Sequence, residues 1–187
     1  MTVVRAMVLV SVLSASRAGV AASALLSLNP AGAALEGTAS FETGAGPSAG
    51  IRLPDGAVSS FALGFVLPPD YVAGRRIRVG IAWHTKASAP CTSVLAPNFI
   101  SVARVGRRHI TGQGLASGLL PSDGNMLLNA SANNVTHLKY YEIRSPDGVT
   151  ALQTADVINF GLFRQSDSIE DTCAGDLMIQ GVGIVTD

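Results

Sequence analysis

The clearest pattern in the chain is an alternation of apolar with small or polar residues that begins at about residue 57. In residues 57–67, the side chains of Phe61, Leu63 and Phe65 fall on one face of an extended chain. Residues 75–85 repeat the alternation, with one apolar face made of Ile77, Val79, Ile81 and Trp83. Because a period of two is typical of half-buried antiparallel strands, both segments are predicted as strands and Trp83 as a core residue.

Further strands are predicted at residues 94–105, 125–130, 135–144, 156–164 and 176–186, separated by Gly-, Pro- and Asn-rich turns. Pro97 interrupts the first of these and predicts a bulge or an edge strand there. No window shows a convincing helical period. Seven or eight short strands in one domain predict an all-β fold, an antiparallel β-sandwich of jelly-roll type, over residues 57–187.

Residues 1–35 allow two interpretations. Arg5, the apolar run 6–13 and the small residues up to Ala24 or Ala33 are typical of a secretory signal peptide. The same segment also fits an extended arm, because valines share one face of it: Val4, Val8, Val10 and Val12. The run is too short to span a bilayer, so an arm is expected to pack on protein, either on its own sheet or at a subunit interface. Residues 36–56 are Gly/Ser/Pro-rich and are predicted as a connection.

Composition narrows the function classes. Hydrophobic residues make up 48% of the 187 residues, charged residues only 14%, and the net charge is zero. The low charged fraction does not suit a helical bundle, and the high hydrophobic fraction does not suit a disordered chain. Because the net charge is zero, no general electrostatic attraction to nucleic acid or to an anionic membrane is expected. Eleven of the thirteen basic residues are Arg, which favours interfaces, and Arg76 and Arg78 are predicted at a subunit interface.

Cys91 and Cys173 each lie in a loop next to a predicted strand end. They are predicted to form a disulfide, which would indicate an oxidising compartment or an exposed surface. Two free thiols are the alternative. A nucleophilic role for Cys173 is disfavoured, because the surrounding carboxylates would raise the pKa of its thiol.

Four acids surround Cys173: Asp167, Glu170, Asp171 and Asp176. Loop carboxylates of this kind are ligands for Ca²⁺, but their spacing fits no calcium-loop template, so a solvated turn is the preferred interpretation and a calcium site the minor one. The three histidines lack zinc spacing, and no serine elbow or phosphate loop is present. The sequence therefore predicts a non-enzymatic protein without a cofactor.

The run "LPPDYVAGRRIRVGIAWHT…CTSVLAPNFI…DVINFGLFRQSDSIEDTCAGDLMIQGVGI" resembles jelly-roll β-sandwich domains of phage and other virion structural proteins, and of some secreted bacterial proteins. The resemblance covers residues 57–185. It implies a non-enzymatic, oligomer-forming and often trimeric sandwich on the outside of a particle or cell, and it carries over no functional residues.

Two functions follow as hypotheses. The first is a structural subunit of a virion or extracellular assembly, a decoration, fibre or surface protein whose partners are further copies of itself and other assembly subunits. The alternative is a secreted carbohydrate-binding or adhesion module with a cleaved signal peptide. That alternative requires exposed aromatic side chains in a groove, to be found among Trp83, the three tyrosines and the six phenylalanines.

Overall fold

The computed structural model describes residues 24–43, 49–104, 106, 110–113, 119–120, 126–130, 135–143 and 151–186. The predicted interface residues Val4, Val8, Val10 and Val12 lie outside this part of the chain. Thirteen strands are present in the described residues: β1 Ala24–Leu28, β2 Ala34–Gly37, β3 Ser40–Glu42, β4 Gly50–Leu53, β5 Ser59–Val66, β6 Ile77–Thr85, β7 Cys91–Ala103, β8 Ile110–Gln113, β9 Leu119–Leu120, β10 Met126–Ala130, β11 His137–Ile143, β12 Val157–Arg164 and β13 Leu177–Thr186.

The strands form two antiparallel sheets. Sheet A has the order β3-β4-β13-β6-β11-β9, and β1 also pairs with β13. Sheet B has the order β10-β7-β12-β5-β2, and β8 also pairs with β7. From β4 to β7, and again from β10 to β13, successive strands alternate between the sheets, which is the connection pattern of a jelly roll. The predicted all-β sandwich is confirmed.

The inward faces of the two sheets form one hydrophobic core. Phe61, Phe160 and Ile81 are buried between the sheets, and Trp83 is buried as predicted. The Trp83 ring stacks on His137 with centroids 4.8 Å apart. Large apolar side chains from both sheets fill the space, so burial of this core is the main contribution to the stability of the fold.

Pro97 lies inside β7, which continues past it as a single strand. The register between β12 and β7 shifts at Gly161/Leu162, where Phe99 and Pro97 are opposite consecutive residues of β12. Asn98 is therefore the extra residue of a β-bulge. A bulge at this proline was one of the two predicted outcomes, and it lets the strand continue although Pro97 donates no hydrogen bond.

The sandwich begins earlier than residue 57. β1 pairs with β13 and β2 with β5, while β3 and β4 extend the edge of sheet A. The segment predicted as a connection thus contributes strands to both sheets. Gly37, at φ 67°, ends β2 and lets the chain cross from sheet B to sheet A, and a Cβ there would collide with the carbonyl oxygen of Val58.

The described residues contain one short 3-10 turn, Pro30–Gly32, and no helix with the length and hydropathy that crossing a bilayer requires.

Candidate functional site

The predicted disulfide is present. Cys91 begins β7 and Cys173 lies in the loop between β12 and β13, with their Cα atoms 5.0 Å apart. The bridge joins positions 82 residues apart in the sequence. A cross-link of this span stabilises the fold by up to about 4.5 kcal/mol in the chain-entropy model, because it restricts the unfolded chain, and measured values are typically about 2–4 kcal/mol.

Beside the disulfide lies a fully buried arginine, Arg164, at the end of β12. Its guanidinium forms a bidentate ion pair with Asp171, with Nε–Oδ2 and Nη2–Oδ1 distances of 3.0 Å each. The remaining N–H groups donate to the carbonyl oxygens of Leu53, Gly175 and Cys173 at 3.2, 2.7 and 2.8 Å. We call this cluster the Arg164 centre. It ties the β4–β5 loop to the β12–β13 loop.

The Arg164 centre has no capacity left for a ligand. Asp171 also accepts hydrogen bonds from the backbone N–H groups of Val94 and Cys173. All donors of the arginine are occupied within the fold, and both carboxylate oxygens of Asp171 are occupied as well. The cluster is therefore structural.

The four acids around Cys173 do not come together. Asp171 binds Arg164, and Asp176 binds Nε of Arg52 at 2.6 Å, while Asp167 and Glu170 are exposed on the loop. In the described residues no three His, Cys, Asp or Glu side chains are grouped so as to hold a metal ion. The two inner carboxylates each pair with a different arginine. The solvated turn and the minor calcium site both stay predictions.

The predicted interface arginines lie in two different places. Arg76 is exposed in the β5–β6 loop, while Arg78 lies on the outer face of sheet A, with its guanidinium carbon 5.6 Å from the centre of the Tyr140 ring. The role of Arg76 and Arg78 at a subunit interface stays a prediction.

The outer face of sheet A contains an open groove, which we call the sheet A groove. The register places Gly183 opposite Gly80, and Gly80 opposite Tyr140, so two glycines of neighbouring strands form its floor. The groove has a volume of about 280 Å³, and its lining includes Gly80, Ala82, Leu138, Tyr140, Gly181 and Gly183.

Tyr140 lies down over this floor. A Cβ added at Gly80 would be only 2.7 Å from Cε1 of the Tyr140 ring, so the ring occupies the space that a side chain at position 80 would take. The residue is nevertheless 46% exposed. The glycine therefore lets an aromatic ring lie low on the sheet while much of it faces solvent.

A polar cluster around Gln180 lies next to Gly181 of the groove lining. The register between β13 and β6 shifts between Ile179 and Gly181, so Gln180 is the extra residue of a bulge. Its side-chain oxygen accepts a hydrogen bond from the Thr136 hydroxyl at 2.8 Å. Gln180 also hydrogen-bonds His84, whose burial lowers its pKa despite that bond.

A second groove adjoins at Gln180. It lies between the 3-10 turn and β3–β4, has a volume of about 560 Å³, and its lining includes Asn29, Pro30, Phe41, Glu42 and Gln180. Phe41 is exposed at the edge of the sheet. An exposed aromatic side chain thus borders each of the two depressions.

Sequence reasoning missed both the Arg164 centre and the sheet A groove. A signal existed for the first: Ile158, Phe160, Leu162 and Arg164 alternate, which places the arginine on the inward face. For the second, Leu138 and Tyr140 share a face of their strand, but the glycines beneath them come from strands far apart in the sequence.

Comparison with known proteins gives only distant similarities. No family model and no curated protein matches the sequence. Among solved structures, TmCBM61 in complex with β-1,4-galactotriose is similar at a TM-score of 0.38 and 10% identity, covering 84% of this chain and 86% of that one. The family 11 carbohydrate-binding module from Clostridium thermocellum, with a mixed-linked tetrasaccharide, gives 0.38 and 8%, covering 89% and 90%.

A structure of infectious bursal disease virus is similar at a TM-score of 0.35 and 10% identity, covering 88% of this chain and 33% of that chain. All these TM-scores are below 0.5, so the similarities assign no function.

Proposed function

We propose that this protein is a non-catalytic carbohydrate-binding module whose binding surface is the sheet A groove. The observation that carries the proposal is the Tyr140 ring, laid over Gly80 and 46% exposed at the side of an open depression. The function is the alternative hypothesis of the sequence analysis. A virion or assembly role stays a prediction that no contact of the described residues tests.

The chemistry of the groove suits a sugar. An aromatic ring offers an apolar platform with a polar hydroxyl at its edge, and the C–H face of a pyranose packs on such a platform. Ligand sites generally combine an apolar lining with a few polar groups that fix orientation. Here Leu138 and Tyr140 supply apolar surface, and Ser27 and the Tyr140 hydroxyl supply polar groups.

The charges around the groove favour a neutral sugar. Arg78 and Glu142 are directly opposite each other on β6 and β11, so the row beside Tyr140 carries one charge of each sign. An acidic polysaccharide would require an excess of basic side chains, which this row lacks. Because Gln180 lines the second groove and the next residue, Gly181, lines the sheet A groove, a linear oligosaccharide of several units fits the surface better than a single sugar.

The disulfide supports an extracellular setting for this activity. Structural disulfides persist in oxidising compartments and are rare in the reducing cytosol. We therefore propose a protein that meets its polysaccharide outside the cell.

The test is isothermal titration calorimetry of the full chain with soluble neutral polysaccharides and their oligosaccharides. Tyr140→Ala is expected to weaken binding at least tenfold, because removal of an aromatic anchor at the centre of a site typically costs more than 1.4 kcal/mol. Tyr140→Phe keeps the platform and should bind within a few-fold of the unsubstituted protein.

Leu127→Ala is the matched control, since Leu127 is an exposed apolar residue on sheet B. It should leave the affinity unchanged. Binding that survives Tyr140→Ala, or no binding to any neutral glycan, would overturn the proposal.

A further inference from the structure

The two ends of the sandwich present exposed apolar residues among charges of opposite sign. We propose that the chain associates head to tail with a second copy, the acidic end of one molecule contacting the basic end of the next. This contact is separate from the sheet A groove, and it does not depend on carbohydrate binding.

The acidic end is formed by the β4–β5 and β12–β13 loops, which meet where the Ser166 hydroxyl donates to the Ala57 carbonyl at 3.4 Å. Val58 is 79% exposed on the first loop and Ile169 is 97% exposed on the second. Asp167 and Glu170 lie on either side of Ile169, are exposed, and form no ion pair with other described residues.

The loop that carries Ile169 is firmly anchored. The disulfide fixes it at Cys173, and the Arg164 centre fixes it at Asp171. Two further hydrogen bonds hold its turn, from Ser168 N to Gln165 O and from Asp171 N to Ser168 O. An almost fully exposed isoleucine on a pre-organised loop binds a partner with little further ordering cost.

The basic end is formed by the end of β5 and the β5–β6 loop. Val66 and Val72 are 53% and 54% exposed, and Arg75 and Arg76 are exposed beside them, with Asp70 as the one exposed acid of the loop. This loop is anchored as well. The Tyr71 hydroxyl donates to the Arg75 carbonyl at 2.8 Å, and the Thr154 hydroxyl donates to the Tyr71 carbonyl at 2.9 Å.

The two ends face in opposite directions. β5 runs from Ser59 beside the acidic end to Val66 at the basic end, a separation of about 25 Å at the usual rise of about 3.3 Å per residue. Each end offers two exposed aliphatic side chains. The exposed charges are negative at the acidic end, and at the basic end Arg75 and Arg76 outnumber Asp70. A second copy of this chain therefore carries the complement of each patch.

A contact between two different patches of the same chain is heterologous. It repeats from molecule to molecule and produces either a closed ring or an open filament. Each patch contains only a few residues, which places the interface in the small, transient class, below about 1,200 Å² of total buried area. Association should therefore rise with protein concentration and fall with salt, because the charges are exposed and are screened.

The test is sedimentation equilibrium of the full chain over a range of concentrations up to about 1 mM, where contacts of about −4 kcal/mol become populated. In low salt the average mass should rise above the 19.2 kDa of one chain, and in high salt it should return toward that value. A mass that stays at one chain throughout would overturn the proposal.

Two double variants then test whether the acidic and the basic end form the contact. Ile169→Ser with Glu170→Gln removes the acidic patch, and Val72→Ser with Arg75→Gln removes the basic patch. Each variant alone should be monomeric, and their equimolar mixture should form a 1:1 dimer and nothing larger, because only one intact end remains on each chain. If either variant alone still associates, or if the mixture stays monomeric, the head-to-tail contact is wrong.

Discussion

The Arg164 centre and the sheet A groove both contain polar residues close to the core, and they differ in what those residues contact. Every donor of Arg164 is paired with a carboxylate or a backbone carbonyl of the same chain. Tyr140, in contrast, covers a glycine on one side and is 46% exposed.

The two regions therefore differ in role: the Arg164 centre stabilises the fold, and the sheet A groove is the proposed binding surface. A buried charge whose hydrogen bonds are complete holds the loops together and has nothing left to offer a ligand. An aromatic ring that packs on a glycine with one face and is exposed on the other destabilises the fold little and leaves a surface available to a ligand. The Arg164 centre shows that unusual residues in a sequence do not mark a ligand site by themselves, because Asp171 and Cys173 of the acidic segment 166–176 are both engaged within the fold.

The largest expected effect is at the Arg164 centre. Arg164→Met should lower the free energy of unfolding by about 3–5 kcal/mol, because it leaves Asp171 charged and buried without its partner. Urea denaturation measures the loss. The double variant Arg164→Met with Asp171→Leu should recover part of it, and a loss below about 1 kcal/mol in the single variant would contradict the structural role.

The disulfide should have the next largest effect. Replacing both Cys91 and Cys173 by Ser should cost about 2–4 kcal/mol, through greater freedom of the unfolded chain. Denaturation of the variant, compared with the unsubstituted protein with and without reductant, checks this value. Carbohydrate affinity at temperatures where the variant is folded should be unchanged, and a parallel loss of affinity would show that the two regions are coupled.

Gly80→Ala should weaken glycan binding and leave the stability of the fold nearly unchanged. The new Cβ would lie 2.7 Å from Cε1 of Tyr140, so the ring must move, and affinity for the glycan should fall about tenfold. The free energy of unfolding should change by less than about 1 kcal/mol, because a ring at the surface can shift. Calorimetry and denaturation give the two values.

Gly161→Ala is the matched control on the other sheet. Its Cβ would lie 2.6 Å from Cε1 of Phe99, so it too displaces an aromatic ring, but on sheet B. It should leave the affinity for the glycan unchanged. If it weakens binding as much as Gly80→Ala does, the position of the Tyr140 ring is not what decides affinity.

The smallest effect is expected from pH. Burial lowers the pKa of His84 below its usual 6.5, and the Gln180 hydrogen bond only partly offsets this. Because the unfolded chain then binds a proton more readily than the folded protein, stability should fall as the pH drops through about 6.5 and level off below the folded-state pKa. His84→Gln should flatten this part of the stability profile between pH 7 and pH 5, and an unchanged profile would exclude His84 as its cause.

The alternation of apolar and polar residues was sufficient to predict the long central strands. β5 and β6 have eight and nine residues, enough positions for a period of two to show, and the inward residues Phe61, Leu63, Ile81 and Trp83 followed from that period. β2 and β3 have four and three residues, which is too few for a period. β2 and β3 form only because they pair with other strands. The sequence pattern of residues 36–56 therefore predicts only a connection.

The sequence by itself determined the all-β class, the inward faces of β5 and β6 and the burial of Trp83, and it favoured a disulfide between the two loop cysteines over two free thiols. Only the tertiary structure decided which charges pair and which residues share a surface. Arg164 meets Asp171 because a loop folds back over the sandwich end, and Tyr140 lies over Gly80 because the register between β11 and β6 places them side by side. Both are contacts between segments whose alignment is set by the packing of the whole sandwich. Local periodicity fixes the face on which each residue lies, but not which strands are neighbours or how far one is displaced along the other.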